Sequence, residues 1–309
     1  MSTVLVTLLI VFVILLVLGV PLYCTIGLAS VSALLVNAKL PLTIVAQKIY
    51  SSADSFTLLA VPFFILVGDL MVQGGISRRL VAFAKCLLGW TKGSMAYVTL
   101  AASALFGAIS GSALATTSAI GGLMYPEMCK DNYPPQLASA IGAVGGTLGI
   151  LIPPSIAFIV YGTTVGASIG DLFLYGGLAG IVFTIFYMFA ARCELNMLRV
   201  QTPIQPFPTL HEVLISFRDA IWSLLAPVII LGGIYSGVFT APEAAVVAAL
   251  YSLVVGMFVF KELTWKKVAE VAYNSAVASA PIVLLIGVAN VFSWIMTIEN
   301  VAAMLKNLV

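Results

Sequence analysis

Long apolar runs, separated by short polar segments, dominate the pattern of this chain. A helix needs about 20 apolar residues to cross roughly 30 Å of hydrocarbon. The run 3–37 is too long for one crossing, and Gly19-Val20-Pro21 interrupts it. With the later runs, the pattern predicts membrane-spanning helices at 3–19, 21–37, 55–74, 170–190, 220–238, 243–260 and 276–298. The segments 39–52 and 76–92 mix charged and apolar residues, which favours helices lying at the membrane surface.

Two further segments are apolar but rich in small residues. Residues 94–127 have Ser110-Gly111-Ser112 at their centre, and each half is only about 15 residues long, short for a span. This pattern predicts a re-entrant helical hairpin, and the alternative is one long tilted span packed through its small residues. Residues 136–164 are long enough to cross, but the glycines from Gly145 and the pair Pro153-Pro154 interrupt them. We therefore predict a broken helix that is unwound over 145–151.

Composition supports a protein whose outer surface faces lipid. Only 8% of the 309 residues are charged and 61% are hydrophobic, whereas a soluble domain carries about 25% charged residues. No basic cluster with interleaved aromatic residues occurs, which argues against nucleic acid as a ligand. The first charge is Lys39, so the apolar N-terminal run is too long for a cleavable signal peptide and is expected to be retained.

Histidine and cysteine usage argues against enzyme and metal chemistry. The single histidine, His211, falls in the polar stretch 192–219 and is interpreted as a solvated side chain. The cysteines show no metal-ligand spacing and are interpreted as small apolar side chains: Cys24, Cys86, Cys129 and Cys193. An intramembrane enzyme would need a histidine, paired acids or an activated nucleophile within the spans. We therefore expect no catalytic activity, no cofactor and no metal beyond a transported cation.

The distribution of basic residues predicts an orientation. With the hairpin making no net crossing, eleven basic residues fall on one side, which is then the cytoplasmic side: Arg78, Arg79, Lys85, Lys92, Lys130, Arg192, Arg199, Arg218, Lys261, Lys266 and Lys267. Only Lys39, Lys48 and Lys306 fall on the other side. The N-terminus is expected outside, and the hairpin is expected to enter from the cytoplasm.

The chain also resembles itself at an offset of roughly 220 residues, in the order expected of repeat architectures. Val61-Pro62-Phe63-Phe64-Ile65-Leu66-Val67-Gly68 recurs as Ala280-Pro281-Ile282-Val283-Leu284-Leu285-Ile286-Gly287. An odd number of crossings separates the copies, so the repeat is predicted to be inverted, as in many secondary transporters. The second copy reaches residue 309 before a hairpin or broken helix, and about 110 further residues are expected to carry both.

These elements divide the sequence into four predicted segments. Residues 1–75 are scaffold-type helices of the first copy, and 76–164 are the transport-domain part with its hairpin and broken helix. Residues 165–219 are a span and a cytoplasmic connecting arm, and 220–309 begin the second copy. The predicted fold class is an all-α membrane protein, an inverted-repeat secondary transporter with a re-entrant hairpin and a broken helix.

Specific motifs make the chain resemble a known family over essentially its whole length. They include Gly107-Ala108-Ile109-Ser110-Gly111-Ser112-Ala113, Gly146-Thr147-Leu148-Gly149 running to Ile152-Pro153-Pro154-Ser155-Ile156, and Gly233-Ile234-Tyr235-Ser236-Gly237. With these motifs the sequence resembles the large membrane subunit of tripartite ATP-independent periplasmic (TRAP) transporters, the DctM-like family. Thr116 stands where many members have Asp, and Ile150 where many have Pro.

The resemblance implies a Na⁺-coupled importer of an organic acid, such as a C4-dicarboxylate or a sugar acid, in the bacterial inner membrane. It also implies an elevator-type fold, in which a transport domain moves across the membrane. It also implies two partners, a small four-helix membrane subunit and a periplasmic substrate-binding protein. The alternative is an ion-coupled carboxylate symporter that needs no binding protein.

The hairpin tip and the broken helix supply the candidate ligands. Na⁺ favours oxygen ligands, and helix ends offer a partial negative charge at the C-terminus and a positive one at the N-terminus. The predicted cation-binding residues are Ser110, Ser112, Gly145, Thr147 and Gly149. The predicted substrate-binding residues are Gly111, Ala113, Pro154, Ser155 and Asn290. The alternative is that the serines satisfy local backbone groups or pack helices.

Two acidic residues near helix ends have open roles. Asp69 falls near the end of a span, where an ionisable residue is a functional candidate, although an interfacial solvated carboxylate is the alternative. Glu243 follows Thr240-Ala241-Pro242 and is predicted to cap the start of a helix.

Overall fold

The chain folds into α-helices joined by short turns. The structure is a computed structural model, and it describes residues 2–36, 41–200, 202–203 and 206–306. Lys39, at the start of the predicted surface segment 39–52, lies outside these residues, as does the side chain of Lys306. Fifteen α-helices follow one another in the described residues: α1 Thr3–Val17, α2 Leu22–Val36, α3 Thr43–Ala53, α4 Ala60–Gln73, α5 Ile76–Leu88, α6 Ser94–Ser110, α7 Ala113–Thr116, α8 Gly122–Lys130, α9 Pro135–Leu151, α10 Ile156–Val165, α11 Ile169–Met197, α12 Leu210–Tyr235, α13 Ala241–Val254, α14 Trp265–Ile298 and α15 Val301–Lys306.

Within the described residues, five helical stretches are long and apolar enough to cross a membrane, and a sixth results if the bent pair α9 and α10 is one span. The five are Phe56–Gln73, Ile169–Met197, Leu210–Tyr235, Ala241–Val259 and Trp265–Ile298. Helices α1 and α2 are apolar but only 15 residues each. The spans predicted from the apolar pattern therefore correspond to helices, although their ends differ.

The largest differences in helix ends lie around the predicted connecting arm and at the start of α14. Helix α11 continues to Met197 and α12 already begins at Leu210, so much of the polar stretch 192–219 is helical. Helix α14 begins at Trp265, well before the apolar run that starts at 276, and reaches 34 residues. Polar residues continue a helix when neither Gly nor Pro stops it, and hydropathy alone does not mark that extension.

One compact unit comprises residues 1–58 and 277–309. Its core joins α1 and α2 to the C-terminal half of α14 through Leu5, Leu8, Ala29, Ala33 and Ile295, all at most 2% exposed. The sharp turn between α1 and α2 places Gly19 at φ +74°, a conformation that disfavours side chains.

The second compact unit comprises residues 59–276. Its fully buried side chains include Phe64 on α4, Phe106 on α6 and Phe173 on α11. Helix α4 packs along α13, and glycines allow the close approach of Gly74, just after α4, to Gly256: a Cβ on Gly74 would lie 3.4 Å from the Gly256 Cα. Each helix buries one face in this way, and apolar side chains cover much of the remaining surface.

Capping at helix starts follows the sequence signals. Glu243 accepts from the Thr240 backbone N–H at 2.8 Å and from the Thr240 hydroxyl at 2.7 Å. The predicted capping role of Glu243 is therefore confirmed. His211 lies in the first turn of α12 with an exposed side chain, so its interpretation as a solvated histidine holds, although it is helical rather than in a loop. All four cysteines are free thiols.

Candidate ion and substrate site

The segment 94–127 doubles back on itself. Helix α6 ends at Ser110, and the second arm comprises α7, a π-helical turn at Thr117–Gly121, and α8. The start of the first arm lies beside the end of the second, since the Thr99 hydroxyl is 3.8 Å from the Met128 sulfur. The Ala96 N–H also donates to the Tyr133 hydroxyl at 3.2 Å. The segment therefore forms a helical hairpin and not one continuous helix, and its re-entrant position in the membrane stays a prediction.

The tip of the hairpin consists of two residues with contrasting backbones. Gly111 ends α6 in the left-handed region at φ +61°, and Ser112 is extended. A Cβ on Gly111 would collide with the Pro154 carbonyl oxygen, so this position needs glycine for both conformation and space. The Ser112 hydroxyl accepts from the Ala115 N–H at 3.3 Å, which makes Ser112 the N-cap of α7.

Two hydroxyls are buried directly behind the tip. Ser110 is 1% exposed and Thr116 is fully buried, and their hydroxyl oxygens are 3.1 Å apart. The Thr116 hydroxyl also donates to the Ser112 carbonyl at 2.8 Å. The predicted site residues did not include Thr116. The sequence analysis noted Thr116 only because many family members have Asp at this position. Its spacing of six residues from Ser110 gives no hint of contact until the chain is known to turn at Gly111.

The broken helix is interrupted later than predicted. Helix α9 is continuous through Leu151, the break covers 152–155, and α10 then continues at an angle of 41°. The Ile152 N–H still donates to the Leu148 carbonyl at 2.9 Å. Pro153 and Pro154 have no N–H to donate, so the helix stops where the prolines stand. The prediction that 145–151 is unwound is wrong, and the carbonyls of Gly145 and Thr147 lie inside a helix.

The glycines of α9 serve close packing against the hairpin instead of unwinding. A Cβ on Gly145 would lie 2.6 Å from the Ser103 hydroxyl, and a Cβ on Gly149 would lie 2.6 Å from the Ser112 carbonyl oxygen. On the opposite side of the crossing, a Cβ on Gly107 would lie 2.9 Å from the Gly149 Cα. Both arms therefore contact α9 almost at backbone distance, as small residues permit in membrane helices.

The hairpin tip and the helix break are joined by a backbone hydrogen bond. The Ile156 N–H, at the start of α10, donates to the Gly111 carbonyl at 3.2 Å. Ser155 is fully buried, and its hydroxyl accepts from the Phe158 N–H at 3.4 Å as the N-cap of α10. Four half-helix ends therefore converge here: the C-terminal ends of α6 and α9, and the serine-capped N-terminal ends of α7 and α10. Of the predicted residues, Ser110, Gly111, Ser112, Ala113, Gly149, Pro154 and Ser155 belong to these ends.

Thr147 faces away from the tip. Its side chain is exposed, its hydroxyl donates to the Val144 carbonyl at 2.7 Å, and it lies 3.3 Å from the Tyr187 hydroxyl on α11. Gly149, two residues later, faces Ser112, because two residues of an α-helix turn by about 200°. Thr147 and Gly145 are therefore not brought to the tip, which corrects their assignment.

Asp69 has a specific partner close to the tip. The Ser275 hydroxyl donates to an Asp69 carboxylate oxygen at 2.6 Å, and Ser275 is 2% exposed. The preceding residue, Gly68, contacts the tip, since a Cβ there would lie 3.3 Å from the Ser110 Cβ. Asn290 belongs to the other compact unit, where its amide donates to the Ser52 hydroxyl at 2.8 Å. Among the described residues, no group of three His, Cys, Asp or Glu side chains is placed to hold a metal ion.

A family model matches the sequence over nearly the whole chain. The model described as "Tripartite ATP-independent periplasmic transporter, DctM component" matches residues 9–309. The chain belongs to this family. Membership agrees with the resemblance found from the hairpin and broken-helix motifs, and it makes the protein a multi-pass membrane protein of a transporter family.

Several relatives share more than a third of their aligned residues with the chain. It is 40% identical over 299 residues to the isethionate TRAP transporter permease protein DctMQ of Oleidesulfovibrio alaskensis, covering 94% of this chain and 46% of that protein. It is 38% identical over 265 residues to the 2,3-diketo-L-gulonate TRAP transporter large permease protein YiaN of Escherichia coli, covering 86% and 62%. It is 36% identical over 277 residues to the C4-dicarboxylate TRAP transporter large permease protein DctM of Pseudomonas aeruginosa, covering 90% and 64%. The chain thus spans about half to two thirds of the length of these relatives.

Proposed function

We propose that this chain forms part of the large membrane subunit of a Na⁺-coupled TRAP importer for an organic acid. The acid is a C4-dicarboxylate, a sugar acid or a similar anion, as the names of the relatives indicate. A periplasmic binding protein delivers it, and a small four-helix membrane subunit completes the transporter. The protein lies in the bacterial inner membrane with its N-terminus in the periplasm, in keeping with the distribution of its basic residues.

The observation that carries this proposal is the hydrogen bond between the Ile156 N–H and the Gly111 carbonyl. It joins the hairpin tip to the helix break, so that helix ends of both polarities lie together. A helix C-terminus carries roughly half a negative charge and an N-terminus half a positive one. Such a cluster suits a transporter that binds a cation and a carboxylate together.

The cation ligands in this proposal come from the C-terminal ends of α6 and α9. The last carbonyls of a helix have no intrahelical donor, which leaves oxygens for a hard cation near Ser110 and Gly149. The Ser110 hydroxyl supplies a further oxygen. The substrate carboxylate faces the N-terminal ends of α7 and α10, at Ala113 and Ser155.

Transport requires that the site reach both sides of the membrane. In our proposal the hairpin and broken helix move as one body in an elevator movement, and close glycine packing holds them together. The inverted repeat predicted from the sequence is part of this proposal, as in other secondary transporters. The second candidate function is a carboxylate symporter that needs no binding protein, and the serine-capped helix ends suit it equally.

The test is Na⁺-dependent uptake in proteoliposomes that contain the complete transporter. Ser110→Ala and Ser112→Ala each remove at most one oxygen ligand, while the backbone carbonyls remain. Loss of a ligand worth about 1–2 kcal/mol raises the half-saturating Na⁺ concentration, and the expected increase lies between several-fold and about thirtyfold. Ser139→Ala is the matched control, because Ser139 is an exposed serine in the first turns of α9 whose hydroxyl donates to the Gln136 carbonyl.

Unchanged Na⁺ dependence in both tip variants, with normal expression and thermal stability, would refute a cation site at the tip. Uptake that proceeds at full rate without binding protein would favour the second candidate function. Uptake that needs the binding protein but no cation gradient would retain the TRAP assignment and remove Na⁺ coupling from the proposal.

A further inference from the structure

A polar cavity of about 640 Å³ lies among the ends of three apolar helical stretches, within the unit 59–276. Its walls include Arg78 and Arg79 from α5, Arg218 and Trp222 from α12, and Glu262 from the turn after α13. None of these residues belongs to the hairpin tip or to the helix break. The cavity is therefore separate from the proposed transport site.

The cavity lies at the level where the hydrocarbon of a bilayer ends. Counting about 20 residues back from Tyr235, the length of one crossing, reaches residue 216 on α12, directly before Arg218. The apolar stretch Ala241–Val259 ends three residues before Glu262, and the stretch Phe56–Gln73 ends three residues before α5 begins at Ile76. The ends of three apolar stretches thus place the cavity at the depth of the lipid headgroups.

Several contacts orient the side chain of Arg79 in the cavity wall. Arg79 donates to the Gly75 carbonyl at 2.9 Å and to Glu262 at 2.8 Å, and its guanidinium lies 3.7 Å from the centre of the Phe260 ring. Gly75 has φ +76°, and a Cβ there would collide with the Glu262 carboxylate. The contacts orient Arg79 and neutralise much of the charge on Glu262.

The remaining guanidiniums retain donors that face the cavity and solvent. Arg78 contacts Glu262, but its side chain is 65% exposed, and Arg218 is exposed as well. The cavity lining contains three arginines and two carboxylates, Asp219 and Glu262, so it carries one excess positive charge. A monoanion with several oxygen acceptors matches this arrangement.

Aromatic and apolar groups beside the arginines fit the rest of a phospholipid. Trp222 is 42% exposed, and its backbone carbonyl accepts from the Tyr251 hydroxyl at 2.6 Å, which joins α12 to α13 beside the cavity. Tryptophan is enriched at headgroup level because its ring is apolar and its N–H is polar. Phe258 and Val259 are exposed next to the cavity and offer acyl chains an apolar surface.

We propose that this cavity binds the phosphodiester headgroup of an anionic phospholipid, with Arg218 and Arg78 as its principal donors. The phosphate takes the excess positive charge, and the acyl chains follow the apolar surfaces of α12 and the end of α13. Basic cavities between spans are general binding sites for anionic headgroups. The lipid bridges α5, α12 and the turn after α13.

Native mass spectrometry of the full-length protein, purified in a mixture of phosphatidylglycerol and phosphatidylethanolamine, tests the proposal. We expect retained phosphatidylglycerol in preference to phosphatidylethanolamine. Arg218→Gln reduces this retention by about fivefold, since one arginine near a charged surface is worth about 1 kcal/mol. Lys266→Gln is the matched control, because Lys266 is an exposed cation on α14 that does not line the cavity.

Thermal unfolding separates binding from a simple loss of folding. Added phosphatidylglycerol raises the Tm of the wild type and of Lys266→Gln more than that of Arg218→Gln, while all three agree without lipid. If Arg218→Gln unfolds by itself, Arg78→Gln takes its place, since Arg78 is largely exposed.

A second arm distinguishes a lipid from a soluble anion. Inorganic phosphate and glycerophosphoglycerol are added to lipid-free protein at millimolar concentration. Stabilisation by phosphatidylglycerol but not by the two soluble anions supports the proposal. Equal stabilisation by inorganic phosphate would assign the cavity to a soluble anion, and equal retention of the two lipids by wild type and Arg218→Gln would overturn the proposal.

Discussion

The crossing of α9 with the hairpin tip makes a sharp prediction for Gly149→Ala. The added methyl group would lie 2.6 Å from the Ser112 carbonyl oxygen and still closer to the Thr116 hydroxyl. Neither neighbour is the end of a flexible side chain: Ser112 contributes backbone, and the Thr116 hydroxyl is buried and held by that same carbonyl. The tip must therefore move away from α9.

The magnitude follows from two opposing effects. Overpacking a tight site costs about 1–3 kcal/mol, and a backbone contact places Gly149→Ala at the upper end. Replacing glycine by alanine inside a helix returns about 1 kcal/mol. The net loss is about 2 kcal/mol, which lowers the Tm by roughly 4–8 °C for a domain of 150–250 residues.

Gly122→Ala is the matched control in the second arm of the hairpin. It is the same substitution in a helix, but nothing lies within 4 Å of the added Cβ. Only the helix-propensity gain applies, so we expect a rise of about 2–4 °C. The assay is thermal unfolding of purified protein in one detergent, with uptake measured below both transitions. Equal Tm values for the two variants would refute the close crossing of the tip with α9.

Two further predictions concern a buried hydroxyl and the orientation. Ser103 is 1% exposed and its hydroxyl has no hydrogen-bond partner among the residues that the structure describes, so Ser103→Ala should leave the Tm unchanged or raise it by a few degrees. A fall of more than a few degrees would mean that the hydroxyl makes a contact important for folding. With the native cysteines replaced, single cysteines at Ser2 and His211 should react with membrane-impermeant reagents from opposite sides of the membrane. Labelling of both positions from one side would contradict the predicted orientation.

The sequence was sufficient to predict the elements that follow from local rules. Apolar runs of sufficient length gave the spans, and the two short arms around Ser110-Gly111-Ser112 gave the hairpin. Glu243 followed from capping chemistry, which involves neighbours only three residues apart. Such features depend on residues close in sequence, so a single sequence contains enough information to find them.

The site was predicted less well because the role of a glycine in a helix depends on which residues pack against it. Gly145 and Gly149 have the same local signal whether a helix unwinds or a second helix crosses it closely. Only the neighbours decide, and Ser103 and Ser112 stand 42 and 37 residues earlier in the chain. The pairing of Ser110 with Thr116 likewise depends on the turn at Gly111. The tandem prolines correctly predicted that the helix is broken. The position of the break is set by the missing N–H groups of the prolines and not by the glycines that precede them.

The π-helical turn at Thr117–Gly121 gives the second arm of the hairpin an unusual property. A π-turn contains one residue more than an α-turn, so the second arm has one extra residue between the tip and α8. Shifting this wide turn by one position exchanges a single backbone hydrogen bond and rotates the residue that it passes by about 100°. Such a shift would rotate Thr117, which lies opposite Gly146 of α9, where a Cβ would collide with the Thr117 hydroxyl.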